Sequence, residues 1–245
     1  MTQHVLLNNA QHQHIKVINQ FHAQYGDNVA GAMVFPTEFV ELQKEYPIVF
    51  RRDAETEKYQ AMALLGIQQG ENLYLDESLD SGWAAHYIPA TLARGPFLIG
   101  FQTQQENGGT QKVPVIHIDM DHPKVNEQKG RALFLEHGGN SPYLEHVSTI
   151  LKNMHQGIAA NDAMFAAFNE YELIEPVNIE IELDNGEKSR LVGNYTINDS
   201  KLQSLNAEQL AKLHHAGFLQ LAFAVVASMS NIRKLIEMKN RRDRG

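Results

Sequence analysis

The sequence predicts an α+β fold, mainly an antiparallel sheet of short strands covered by C-terminal helices. Three observations predict it. Between residues 47 and 119, short apolar runs separated by turn residues follow one another as a meander. Residues 177–197 alternate apolar and polar about Asn185-Gly186, as a half-buried hairpin does. Residues 141–173 and 205–241 carry apolar side chains at helical spacing.

Residues 1–30 are polar and rich in Gln, Asn and His. They read as an arm or as a short helix over 15–25, with Ile15, Ile18, Phe21 and His22 at helical spacing and Gly26-Asp27-Asn28 as its end. Residues 31–245 read as a single α+β domain. Within it Thr37 caps a helix through Tyr46: Glu38 suits the positive end of the dipole and Pro47 forbids continuation. Strands are expected over 47–52, 59–67, 71–75, 97–101 and 113–119, with turns at 53–58 and 68–70 and a polar loop at 102–110.

Ser141 followed by Pro142 is a helix start, because the hydroxyl caps and the missing proline N–H costs nothing there. Leu144, Val147, Leu151 and Met154 line one face, and Gly157 is expected to close this helix. A second helix is expected over 161–173, stopped by Pro176. In the hairpin Val177, Ile179, Ile181 and Leu183 alternate outward, Asn185-Gly186 is the two-residue turn, and Leu191, Gly193, Tyr195 and Ile197 alternate back. Asn206 with Gln209 forms a capping-box start beside a Leu205–Leu210 staple, and that helix ends at Gly217. A last helix is expected over 218–241.

Composition bounds the function. Hydrophobic residues are 43% and charged residues 20% of the 245, as in a folded globule of a size that buries its own core. With no cysteine, a disulfide framework and thiol catalysis are excluded. A net charge of −8 argues against general nucleic-acid binding. Cations gather only at the C-terminus (Arg233, Lys234, Lys239, Arg241, Arg242, Arg244), where they complement a helix dipole or touch an acidic partner or anionic lipid. The N-terminus carries neither a basic region nor an apolar run of signal-peptide length, so a cytoplasmic location is expected, export without a cleavable signal being the exception. Residues 216–232 are uncharged but short of the about 20 needed to span a bilayer, so a buried core helix rather than a transmembrane segment is expected.

Five pieces between residues 36 and 97 form an ordered set: Pro36-Thr37-Glu38-Phe39, Glu45-Tyr46-Pro47-Ile48-Val49-Phe50, Leu64-Leu65-Gly66, Asn72-Leu73-Tyr74, and Tyr87-Ile88-Pro89-Ala90-Thr91-Leu92-Ala93-Arg94-Gly95-Pro96-Phe97. Gly130-Arg131-Ala132-Leu133-Phe134 and the run from Leu205 through Gly217-Phe218-Leu219 continue it. The set resembles the SapC family, bacterial proteins of about this length named after a gene linked to the paracrystalline surface layer. Many members carry two arginines and an aromatic before the Pro-Phe pair, where this chain has Ala93-Arg94-Gly95. The resemblance implies surface-layer association, and no catalytic residue set comes with it.

Two segments carry chemistry. Residues 83–97 hold two prolines and a glycine, a stiff path along which Trp83, Tyr87, Arg94 and Phe97 are expected to line a ligand or partner surface. Arginine offers a planar fork for carboxylate or phosphate, and Trp and Tyr offer apolar area with a polar tip. The plainer alternative is a loop packed under the sheet with Arg94 paired to a carboxylate. His117-Ile118-Asp119-Met120-Asp121-His122 places residues 117, 119 and 121 on one strand face. His117 and Asp119 with a distant histidine have the spacing of the facial triad that holds Fe(II) or another divalent transition metal. Its alternative is a polar strand end before Pro123. His214-His215 suits a helix end, and His12 and His14 lie in the polar arm. Glu38 and Glu45, seven apart on one helix face, read as acid–base partners or as solvated charges beside Lys44. No phosphate loop, nucleophile elbow, zincin or dinucleotide motif is present.

The reading is therefore a non-catalytic binding or accessory protein, holding a partner protein, peptide or small ligand at residues 83–97, without a cofactor. The alternatives are a metal-dependent oxygenase or hydrolase using His117 and Asp119, and a surface-layer or export component.

Overall fold

The computed structural model describes residues 3–106 and 109–244. In chain order it begins with β1 (His4–Leu6), α1 (Asn9–His12), β2 (Lys16–Val17) and a 3-10 turn (Ala23–Tyr25). Next come β3 (Gly31–Val34), a 3-10 turn (Pro36–Glu38) running into α2 (Phe39–Leu42), β4 (Ile48–Arg52), β5 (Tyr59–Leu64) and α3 (Ala90–Ala93). A long hairpin, β6 (Phe97–Glu106) and β7 (Gly109–Asp119), precedes β8 (Val125–Asn126) and β9 (Arg131–Ala132). Then follow α4 (Pro142–Glu170), β10 (Ile174–Glu182), β11 (Lys188–Ile197), α5 (Asp199–Gln203), α6 (Ala207–His215), α7 (Phe218–Ser228) and α8 (Asn231–Arg244).

The principal sheet is antiparallel, in the order β10-β11-β4-β5-β3, so both halves of the chain contribute to it. The C-terminal helices pack against it: Ala222, Ala224, Val225 and Leu235 are buried with Ile48, Phe50 and Ile197 in one core. A second core gathers Ile15, Val17, Phe97, Ile118 and Leu133 around a separate sheet, β1-β7-β6, and a small one, β8-β2-β9.

Helix α4 joins the two cores. Its first half gives Leu144, Val147, Leu151 and Met154 to the second core; its second half gives Met164, Phe165 and Phe168 to the first. The expected break at Gly157 is absent, and 142–170 is one helix. The glycine serves a close approach: an added Cβ would lie 2.5 Å from Phe35 Cβ and 2.8 Å from Thr37 Oγ1. On a free helix Gly→Ala stabilises by about 1 kcal/mol. Here Gly157→Ala is expected to destabilise by about 1–3 kcal/mol through overpacking. Urea denaturation checks the sign.

Other local expectations change for physical reasons. No helix covers 15–25: Ile15 and Val17 are buried two apart, a strand period, and Lys16 pairs with both Asn126 and Ala132. The N-terminal segment is woven into both small sheets through β1 and β2. Thr37 is not a cap; its hydroxyl donates to Asn153 O at 3.2 Å, and Glu38 caps by accepting Phe35 N–H at 2.9 Å. The expected loop 102–110 is mostly strand, since Gln102 pairs with Val113 and Thr103 with Lys112; residues 107–108 at its centre lie outside the described residues. The hairpin turn is a three-residue loop. Leu183 N–H bonds Glu187 O at 2.9 Å, and of Asn185 and Gly186 only Gly186 (φ 83°) is left-handed.

Residues 71–75 form no strand, because α8 claims their carbonyls. Arg242 donates to Asn72 O at 3.0 Å, Leu73 O at 3.2 Å and Leu75 O at 3.0 Å. Lys239 pairs with Glu71 and Asp243, each at 3.0 Å, and Arg244 pairs with Asp184. These three of the terminal cations are thus internal staples. The last helix is two helices, broken at Met229-Ser230. Ser228 Oγ accepts Ile48 N–H at 2.9 Å on one side, and Asn231 donates to Gln43 O at 2.8 Å on the other. By length and composition alone, an 18-residue window within Phe218–Arg244 is apolar enough to cross a membrane.

Candidate functional site

The 83–97 segment is held by an internal polar frame. Trp83 is 3% exposed, stacked on Tyr74 at 6.0 Å and edge-on to Phe21 at 5.2 Å. Its Nε1–H donates to Tyr46 Oη at 2.9 Å, and Tyr46 Oη donates to Tyr87 O. Burial pushes the Tyr46 hydroxyl far up, so it remains a donor.

Glu38 and Glu45 hold the same segment from the turns before and after α2. Glu38 is 4% exposed: Oε1 accepts Phe35 N–H at 2.9 Å, while Oε2 accepts Ala90 N–H at 2.9 Å and Tyr87 Oη–H at 3.0 Å. Burial raises its pKa against these three hydrogen bonds. Glu45 Oε2 accepts the N–H groups of His86 at 2.9 Å and Tyr87 at 3.0 Å. Burial opposes the charge on Glu45, but its hydrogen bonds and Lys234 outweigh that and lower its pKa. Neither carboxylate is a solvated helix charge; each positions backbone. The Pro36-Thr37-Glu38-Phe39 motif contained that signal, but no rule of spacing assigns a carboxylate to an amide 52 residues away.

This frame sets α3, and α3 ends at Arg94 beside a cleft of about 180 Å³. The opposite walls bring Asp27 from the turn after Tyr25, Asp119 from the end of β7, and His122 and Lys124 from the segment beyond. Arg94 Nη1 donates to Phe97 O at 2.7 Å. Among the described residues it forms no ion pair, and burial alone lowers its pKa. The expected carboxylate partner is therefore absent from the described residues. Lys124 is committed elsewhere: it pairs with Asp27 at 2.9 Å, both side chains are buried, and its ammonium sits 4.1 Å from the Phe21 ring centre. His122 Nδ1 accepts Lys124 N–H at 3.1 Å, which leaves the proton on Nε2. Burial, then Lys124, lowers the His122 pKa.

Of the four residues expected to line a recognition surface, Arg94 lines the cleft. Tyr87 is half-buried and spends its hydroxyl on Glu38, and Trp83 and Phe97 are core residues. His117 and Asp119 share a strand face but diverge. The His117 ring occupies the space over Gly100, where an added Cβ would meet it at 2.3 Å, and Gly100 lies opposite Val115, away from Asp119. Asp119 faces the cleft, with His4 Nε2 4.0 Å from its Oδ2. Among the described residues no three His, Cys, Asp or Glu side chains converge as metal ligands. Asp27 and Lys124 had no sequence signal as site residues, and His122 had one only as the end of the 117–122 segment; the fold alone assembles them in this cleft.

The SapC family model matches residues 7–235. No curated protein gives a significant match, and no solved structure does.

Proposed function

The chain belongs to the SapC family, and from that membership and the geometry of the cleft we propose a non-catalytic binding or accessory protein. Its Arg94 cleft holds a polar group of a partner protein, a peptide or a small ligand. One observation carries the reading: a partly buried guanidinium with no ion-pair partner among the described residues, at the mouth of a preformed cleft. Desolvating a charge without a counter-charge is costly, and an incoming group that supplies one recovers that cost. The frame supports the same reading. Glu38 holds α3 at Ala90, and Glu45 and Tyr46 hold Tyr87 just before it, so little ordering is left for the binding step.

The test compares what wild-type protein and Arg94→Ala retain through purification, by native mass spectrometry, with circular dichroism confirming equal folded content. A species carried by wild type and lost from Arg94→Ala is expected. An identical set of bound species on both would remove Arg94 from the function.

A further inference from the structure

We propose that the group accepted by the cleft is a small zwitterion of the α-amino-acid class, its carboxylate on Arg94 and its ammonium on Asp119; this rests on the binding reading above. The two side chains line one cleft. They are tied to one segment: Asp119 N–H bonds Pro96 O at 2.9 Å, and the Arg94 side chain donates from Nη1 to Phe97 O at 2.7 Å. Yet among the described residues Arg94 forms no ion pair, and the group beside Asp119 Oδ2 is His4 Nε2, at 4.0 Å. His122 lines the same cleft.

Each charge has room for a partner. Arg94 spends one guanidinium nitrogen on a carbonyl and keeps its remaining donors. Asp119 spends Oδ1 on Asp121 N–H at 3.2 Å, and among the described residues its Oδ2 has only His4, at 4.0 Å. The other two charges of the cleft, Asp27 and Lys124, neutralise each other at 2.9 Å. Among the described residues, what remains is one open cation and one open anion. A simple anion would meet Asp119 and a simple amine would meet Arg94, each a like-charge contact in a half-desolvated space. A molecule carrying both charges satisfies both walls. Its size is also bounded, because about 180 Å³ is below the roughly 300 Å³ at which sites for drug-sized ligands begin.

The experiment is calorimetric titration of the full chain with each of the twenty α-amino acids, with acetate, methylamine and inorganic phosphate as single-charge probes. At least one amino acid is expected to bind saturably, with acetate and methylamine roughly 30-fold weaker or more. Asp119→Asn keeps an oxygen for Asp121 N–H and so preserves the local fold; it and Arg94→Lys are each expected to weaken that amino acid by a similar factor. Binding of acetate or phosphate as tight as any amino acid, unchanged in Asp119→Asn, overturns the zwitterion while leaving the Arg94 cleft as a binding site. Absence of binding by all twenty also overturns it. If Arg94→Ala moreover retains every species that wild type carries, the binding reading falls with it.

Discussion

Trp83→Ala is expected to destabilise the protein by about 3–5 kcal/mol, the usual cost of truncating a large buried aromatic. For a chain of this length that lowers Tm by roughly 10 °C. The side chain is 3% exposed and packs between Tyr74 and Phe21. Its loss opens a cavity in the first core and also leaves Tyr46 Oη without a donor, at the head of the chain Trp83–Tyr46–Tyr87. Trp83→Phe separates the two contributions. It keeps most of the apolar volume and removes only the indole N–H, so about 1 kcal/mol of the loss is expected to remain from the missing hydrogen bond, plus the smaller volume change. Calorimetric unfolding of both variants checks this. A Trp83→Ala protein as stable as wild type would contradict the placement of this residue in the core.

Glu38→Ala is expected to cost about 2–5 kcal/mol. Two backbone N–H groups, those of Phe35 and Ala90, would lose their acceptor in a buried place, and Tyr87 Oη would lose its own. Each stranded buried donor costs about 1–3 kcal/mol, with the tyrosine hydroxyl free to rotate. Glu38→Gln is expected to rescue little. Both carboxylate oxygens accept backbone N–H groups, so an amide must aim its own N–H₂ at one of them. The pH dependence has a definite sign. Burial raises the Glu38 pKa above its ordinary 4.5, so the folded state holds that proton more tightly than the unfolded chain. The stability this contributes is full below 4.5 and is lost as pH rises through the raised value. The stability gap between wild type and Glu38→Ala should therefore widen as pH falls from 7 toward 4.5, in urea titrations at several pH values. A gap that narrows would mean that the hydrogen bonds to the carboxylate outweigh its burial.

Much of the architecture was legible in the chain because it depends on neighbours in sequence. The capping box of α6, with Asn206 Oδ1 accepting Gln209 N–H and Gln209 Oε1 accepting Asn206 N–H, is a three-residue relation. So is the Ser141 cap, with Leu144 N–H at 3.2 Å from its hydroxyl. The alternation of β10 and β11 states which face is buried before any partner is known. Gly157 and residues 71–75 were misread for the opposite reason. A glycine at a helix end and a glycine under a crossing chain look alike in sequence, and only the position of Phe35 tells them apart. An apolar run reads as a strand until Arg242 takes its carbonyls.

The candidate site divides in the same way. Arg94 stood out by itself, as an arginine in a proline-punctuated turn where a planar fork has little else to do. The family resemblance likewise needed nothing but ordered local motifs. Composition alone ruled out thiol chemistry. The walls opposite Arg94 come from Asp27, Asp119 and Lys124, positions up to 97 residues apart that no local pattern links. Which charges are spent on each other and which stay open is decided by ångström-scale distances between chain segments that meet only after both cores have closed. Local preference is additive along a chain and can be read from it; electrostatic pairing is a property of the packed object, and packing alone sets it.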